Sequence, residues 1–160
     1  MKNCLTIAGS DCSGGAGIQA DLKTFSALGC YGMSAISAVV AENTERVIST
    51  MPVTPSVIYD QLEAVFTDIR VDAVKIGMLP DAGSMHAVAA ALMKFDPEIV
   101  VCDPILAATA GTELMQGSAV NTFITTIVPL CTLLTPNIPE AEKLLGCTIK
   151  EYADIKAAAL

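Results

Sequence analysis

The segment Gly9-Ser10-Asp11-Cys12-Ser13-Gly14-Gly15-Ala16-Gly17 crowds glycine and small polar residues into a run that ends where a helical apolar period begins. Backbone N–H groups in such a loop, at the mouth of a helix, can accept an anion or let a flat ligand approach closely. The segment is not a phosphate loop of the Gly-Lys-Ser/Thr kind, because no such triplet follows. Gly15-Ala16-Gly17-Ile18-Gln19-Ala20 matches the G-x-G-x-x-A dinucleotide pattern, with Glu42 as a ribose partner. That fingerprint places its first glycine at the strand end, whereas five residues separate Gly9 from Gly15 here, and the dinucleotide reading is set aside.

Four carboxylates fall near the ends of expected elements: Asp21, Glu42, Asp103 and Glu140. Each has a plain explanation as a solvated end-of-element acid, and Asp21, one turn into the first helix, is accounted for by the helix dipole. Together they make a cation site plausible, since Mg²⁺ on a nucleotide phosphate needs only one or two carboxylates plus waters. Met78 serves either core packing or a ligand. Lys23 is read as a surface side chain, and Lys75 as one that snorkels to the surface. His86 is the sole histidine, which removes Ser-His-Asp and multi-histidine zinc chemistry. The six cysteines contain no C-x-x-C pair and are read as reduced thiols acting as small apolar residues.

These residues need elements to carry them. Short β-rich runs alternate with segments of helical period, the signature of β-α units around a parallel sheet. The expected strands are Cys4–Gly9, Ser34–Ala41, Ala73–Gly77, Ile99–Asp103 and Cys131–Thr135, mostly apolar throughout, as strands covered on both faces must be. Ile18, Leu22, Phe25 and Leu28 mark a first helix stopped by Gly29. A second opens with Thr54 as N-cap and Pro55 at its first position, then repeats Ile58, Leu62, Phe66 and Ile69. Further helices are expected near Gly83–Lys94, Ser118–Ile127 and Pro139–Leu145, the last closed by Gly146. Thr148 and Glu151 read as a capping box for one more helix, which has no stop signal before Leu160. In an open parallel sheet, ligands bind outside the carboxyl ends of the strands. The glycine loop, Glu42, Met78, Asp103 and the segment Thr135–Glu140 should therefore converge on one edge.

The whole chain, 160 residues with 52% hydrophobic residues, a net charge of -8 and a mean hydropathy of +0.56, suits one globular domain. A chain of this length buries roughly two thirds of its unfolded surface, so disorder is excluded. The acidic balance argues against nucleic acid as a partner. No apolar run spans a bilayer, and no signal-peptide core follows Met1; a cytoplasmic location is expected.

Leu5-Thr6-Ile7-Ala8-Gly9-Ser10-Asp11, Ser13–Phe25, Lys75-Ile76-Gly77-Met78-Leu79, Val101-Cys102-Asp103-Pro104 and Thr135–Ala141 together resemble the hydroxymethylpyrimidine/phosphomethylpyrimidine kinases of thiamine biosynthesis, in the ribokinase-like superfamily. The resemblance implies a three-layer α/β fold with a mostly parallel sheet. It also implies ATP- and Mg²⁺-dependent phosphorylation of a hydroxymethylpyrimidine and of its monophosphate. Carried over by position, Gly9, Ala16, Asp21, Glu42, Met78 and Ile105 would line the pyrimidine pocket. Asn137 and Glu140 match the family's N-x-x-E motif, which acts on Mg²⁺ and phosphates, with Asp103 as partner. Two departures stand out: Glu42 occupies a position where many members carry Gln, and Thr109 one where a Lys is common. The resemblance covers the N-terminal part of the family's length, so the catalytic anion hole is expected in a missing C-terminal part and a truncated chain to be nearly inactive alone. A pyridoxal or pyridoxine kinase of the same family is the nearest alternative, though Glu42-Asn43-Thr44 resembles the Gln-Asn-Thr of the pyrimidine kinases. A non-catalytic half-domain that binds pyrimidine or assembles with another copy is the other, and association into a homo-oligomer is expected.

Overall fold

The computed structural model describes residues 1–106 and 117–159. The chain runs β1 (Asn3–Asp11), α1 (Gly17–Ala27), β2 (Tyr31–Glu42), β3 (Val47–Pro52), α2 (Pro55–Asp68), β4 (Ala73–Ile76), α3 (Ala82–Phe95), β5 (Val100–Cys102), α4 (Gly117–Thr126), β6 (Leu133–Leu134), α5 (Ile138–Leu145) and α6 (Tyr152–Ala158). Among the described residues the strands form one sheet in the order β3-β2-β1-β4-β5-β6. All neighbouring pairs are parallel except the antiparallel β2–β3 pair. The expected parallel core is thus present, with one antiparallel edge strand added to it.

β1 lies between two parallel partners and is buried along Leu5–Gly9. Its alternate residues separate two layers. Leu5 and Ile7 join Val74, Ile76, Val100 and Cys102 in an apolar core with Ile58 and Leu62 of α2, Met85, Val88 and Leu92 of α3, and Phe123 of α4. Thr6 points the other way, to α1. The chain leaves β1 toward β2 in one direction and β4 toward β5 in the other, so right-handed crossovers put α1 on one face and α2, α3 and α4 on the opposite face.

Several local expectations are revised. β1 continues past Gly9 through a bulge, so Ser10 and Asp11 still pair with Val39 and Val40. The strands ending the sheet are shorter than expected, with β5 at Val100–Cys102 and β6 at Leu133–Leu134. Thr54 is the N-cap of α2 as predicted, yet its hydroxyl lies 3.3 Å from Ser56 Oγ and caps no backbone N–H. The capping box of α6 lies three residues later than expected: Glu151 is the N-cap and not the N3 residue, and its partner is Asp154, whose carboxylate accepts from the N–H groups of Lys150 and Glu151. All six cysteines are free, but only Cys102 is buried and Cys12 and Cys147 are exposed, so they do not act together as core residues. No helix among the described residues is long and apolar enough to cross a membrane.

Leu62 is fully buried between the sheet and α3. Leu62→Ala is expected to destabilise the fold by about 2–5 kcal/mol, since the removed atoms leave a cavity that rigid neighbours fill only in part. Urea unfolding followed by circular dichroism measures it.

Candidate functional site at the carboxyl ends of the strands

The site begins with a turn that folds back on its own strand. Asp11, only 4% exposed, accepts hydrogen bonds from the N–H groups of Ser13 (2.7 Å), Gly15 (2.9 Å) and Ala16 (2.8 Å). Its own N–H donates to Gln19 Oε1 of α1 at 2.8 Å. One carboxylate therefore takes three N–H groups of the loop up to and including Ala16, the N-cap of α1, while no side chain caps the first turn of the helix itself. Burial pushes the Asp11 carboxyl up, but hydrogen bonds from Ser13, Ala16 and Gly15 together outweigh it and hold the group below its ordinary value. The residue carries no role in the resemblance, although its place two residues before a Ser-Gly-Gly run is the mark of such a turn.

Glycine is required at one point of the loop on two counts. Gly17 has a φ of 56°, and a Cβ there would collide with the Gly9 carbonyl oxygen. The loop thus lies directly over the end of β1. Gly9 is buried beneath Met78, because a Cβ at Gly9 would come 2.5 Å from Met78 Cε. Met78 is itself half-buried, its carbonyl accepting from Ser37 Oγ at 2.6 Å. The methyl group neither joins the apolar core nor stands free in solvent.

Asp21 is not a first-turn acid of α1, so the dipole explanation fails. Its Oδ2 accepts from Thr6 Oγ1 at 2.6 Å and from Lys75 Nζ at 3.0 Å. Lys75 accordingly does not snorkel: its side chain is 23% exposed and that of Asp21 17%. Lys23, exposed as expected, reaches back to the Gly14 carbonyl at 2.8 Å and braces the loop. Glu42, half-buried at the end of β2, has its backbone N–H and carbonyl within 3.4 and 3.1 Å of Cys12 Sγ. Burial first, and then the nearby Asp11 charge, raise the Glu42 carboxyl above its ordinary value.

On the far side, Asp103 follows β5 and the Thr135–Glu140 segment follows β6, on adjacent parallel strands. Asn137 and Glu140 form the capping box of α5: Asn137 Oδ1 accepts from Glu140 N–H, and Glu140 Oε2 accepts from Asn137 N–H, both at 2.9 Å. Glu140 Oε1 keeps no partner among the described residues. Ile105 is half-buried after β5, with its Cδ1 3.8 Å from the point where a Cβ of Gly77 would lie. Ala16 is exposed in the glycine loop. The parallel strands thus bring Gly9, Ala16, Asp21, Glu42, Met78, Ile105, Asp103, Asn137 and Glu140 to one side of the sheet. Thr109 lies outside the described residues.

No group of three His, Cys, Asp or Glu side chains among the described residues converges to hold a metal. Asp103 and Glu140 nevertheless supply hard oxygen donors at adjacent strand ends, which fits a magnesium ion held mainly by phosphates and water and not one enclosed by protein.

A sheet of this order, with α1 on one face, three helices on the other and a glycine loop folded over the central strand, defines a ribokinase-like α/β domain. The crystal structure of phosphomethylpyrimidine kinase from Clostridium difficile 630 superposes with a TM-score of 0.94 at 45% identity, covering 99% of this chain and 68% of that one. An ADP complex of Bacillus subtilis pyridoxal kinase superposes with a TM-score of 0.88 at 37% identity, covering 99% of this chain and 59% of its own. In sequence, the hydroxymethylpyrimidine/phosphomethylpyrimidine kinase of Escherichia coli K12 is 50% identical over 143 residues, 89% of this chain and 54% of that protein. The profile of the phosphomethylpyrimidine kinase family matches residues 11–160, and the chain belongs to that family. It spans about half the length of the curated relatives it matches.

The low-lying Asp11 carboxyl ties loop stability to pH. A folded-state value below the unfolded one of about 3.9 gives stabilisation that is complete above that value and lost as pH falls through the folded one. Asp11→Asn is expected to cost about 1.5–3 kcal/mol near neutrality, because charge-assisted bonds to three N–H groups are weakened. The gap between wild type and variant should close as the pH is lowered through the folded value of Asp11, as read from urea midpoints measured down to pH 2.

Proposed function

We propose that the chain forms the pyrimidine side of a kinase site that phosphorylates 4-amino-5-hydroxymethyl-2-methylpyrimidine and its monophosphate. The observation that carries this reading is the end of the central strand: Gly9 lies under Met78, Glu42 ends the neighbouring β2, and Asp21 of α1 is held by Thr6 and Lys75 on β1 and β4. A planar ring fits against the thioether of Met78, and the carboxylates accept from an exocyclic amine. A Glu42 carboxyl that takes up a proton more readily than usual can also donate to a ring nitrogen, as a glutamine amide would.

ATP with Mg²⁺ would supply the phosphoryl group and neutralise charge on it during transfer. Asp103 and Glu140 would hold the ion, and Asn137 would keep Glu140 aligned through the shared cap. The ADP bound in the pyridoxal kinase neighbour supports adenine-nucleotide use. The Asp21–Lys75 and Asn137–Glu140 pairs fix their side chains before ligand arrives, so little ordering remains for binding. A pyrimidine and not a pyridine substrate is favoured by the acceptor carboxylates, which repel the phenolate oxygen of pyridoxal.

Isothermal titration of the protein with hydroxymethylpyrimidine and with pyridoxal, followed by an ADP-release assay with ATP and Mg²⁺, tests the proposal. Tighter binding of the pyrimidine is expected; preference for pyridoxal, or no binding of either, overturns it. Glu42→Ala should weaken pyrimidine binding about tenfold or more, and Glu42→Gln should bind at least as tightly as wild type, since the amide keeps both hydrogen-bonding roles without a charge to desolvate.

A further inference from the structure

We propose that Lys75 is the positioning residue for Asp21, fixing that carboxylate so that its Oδ1 accepts a hydrogen bond from an N–H or O–H donor of the ligand. This rests on the pyrimidine-kinase reading of the site.

Thr6 and Lys75 are register partners on β1 and β4, so they stand side by side on the sheet face that meets α1. The neighbours on the opposite face, Leu5, Ile7, Val74 and Ile76, are all sealed in the apolar core. An ammonium in the middle of a sheet is costly unless it is paired. Lys75 is paired with Asp21, and the Thr6 hydroxyl meets the same oxygen, Oδ2. Two donors on one oxygen fix the plane of the carboxylate and hence the direction of the other oxygen. That oxygen, Oδ1, has no partner among the described residues. It is not sealed either, because among the described residues no buried side-chain nitrogen or oxygen lacks a hydrogen bond.

The surroundings point the pair at the pocket. Lys75 Nζ lies 2.9 Å from where a Cβ of Gly77 would sit, and Ile105 Cδ1 lies 3.8 Å from that same point. Gly77 therefore leaves the space the ammonium occupies, beside a residue of the pyrimidine pocket. The pair is neutral as a unit while still presenting an acceptor, which suits an uncharged heterocycle carrying an amine or hydroxyl donor.

The test is a double-mutant cycle read by titration with 4-amino-5-hydroxymethyl-2-methylpyrimidine on wild type, Lys75→Met, Asp21→Asn and the double variant, with thermal unfolding of each alongside. Lys75→Met is expected to weaken binding about tenfold or more in the wild-type background, and by less than about twofold once Asp21→Asn is present. Lys75→Arg should restore much of the loss. A purely structural lysine would lower thermal stability in both backgrounds without this coupling in affinity. Should Lys75→Met fail to fold, Gly77→Ala takes its place, since it displaces the ammonium and keeps every charge. Affinity unchanged by Lys75→Met, or losses that simply add, overturns the inference alone. A wild-type protein that binds no pyrimidine overturns the site reading and the inference with it.

Discussion

The site depends on one buried anion. Asp11 ends the central strand, and its carboxylate gathers the N–H groups of Ser13, Gly15 and Ala16 into a turn that returns the chain over that strand. Without those bonds three loop donors would lack partners beside a buried strand end, and the start of α1 would have no fixed position. Because α1 carries Asp21, the turn also sets where that side chain meets Thr6 and Lys75. Gly17 allows the closure, since any Cβ there would strike the Gly9 carbonyl.

The sheet places this turn where ligands are expected for topological reasons. The chain leaves β1 toward β2, then crosses to β4 on the other side, so the central strand is a switch point and the crossing helices part to opposite faces above it. At the carboxyl ends, Glu42 is the last residue of β2, and Met78, Asp103 and Asn137 come just beyond β4, β5 and β6. Strand order alone therefore explains why residues from five separated segments share one edge.

Much of this was legible from the sequence. The parallel core strands, α1 and its glycine stop, Pro55 at the start of α2, and Gly146 closing α5 in a left-handed conformation all follow local rules that tertiary packing did not override. Strand β3 was missed because nearly all of its residues are exposed and it ends in Pro52, so it shows neither alternation nor an apolar run. The Asp21–Lys75 pair was missed for a different reason. Its members are far apart in the chain, and the sequence alone offers each a local explanation that the structure overturns, a helix dipole for the acid and a long stem for the lysine. Asn137 and Glu140 were visible as a motif, but their mutual capping shows that the same spacing serves the helix as well as any ligand.

The two faces of the sheet divide the work of the molecule. The face under α2, α3 and α4 is packed with aliphatic side chains and contributes most of the apolar burial. The face under α1 carries Thr6 and Lys75, which meet Asp21 of that helix, polar groups that bury less apolar area and must satisfy one another. Such an arrangement is weak support for stability, since an ion pair of this kind roughly cancels its own desolvation. Its value lies in direction: the apolar face fixes the strands rigidly, and rigid strands hold a lysine and a threonine against the aspartate of α1 in a geometry that loops could not keep. An apolar layer of equal volume under α1 would bury more surface and leave no oriented acceptor at the strand ends.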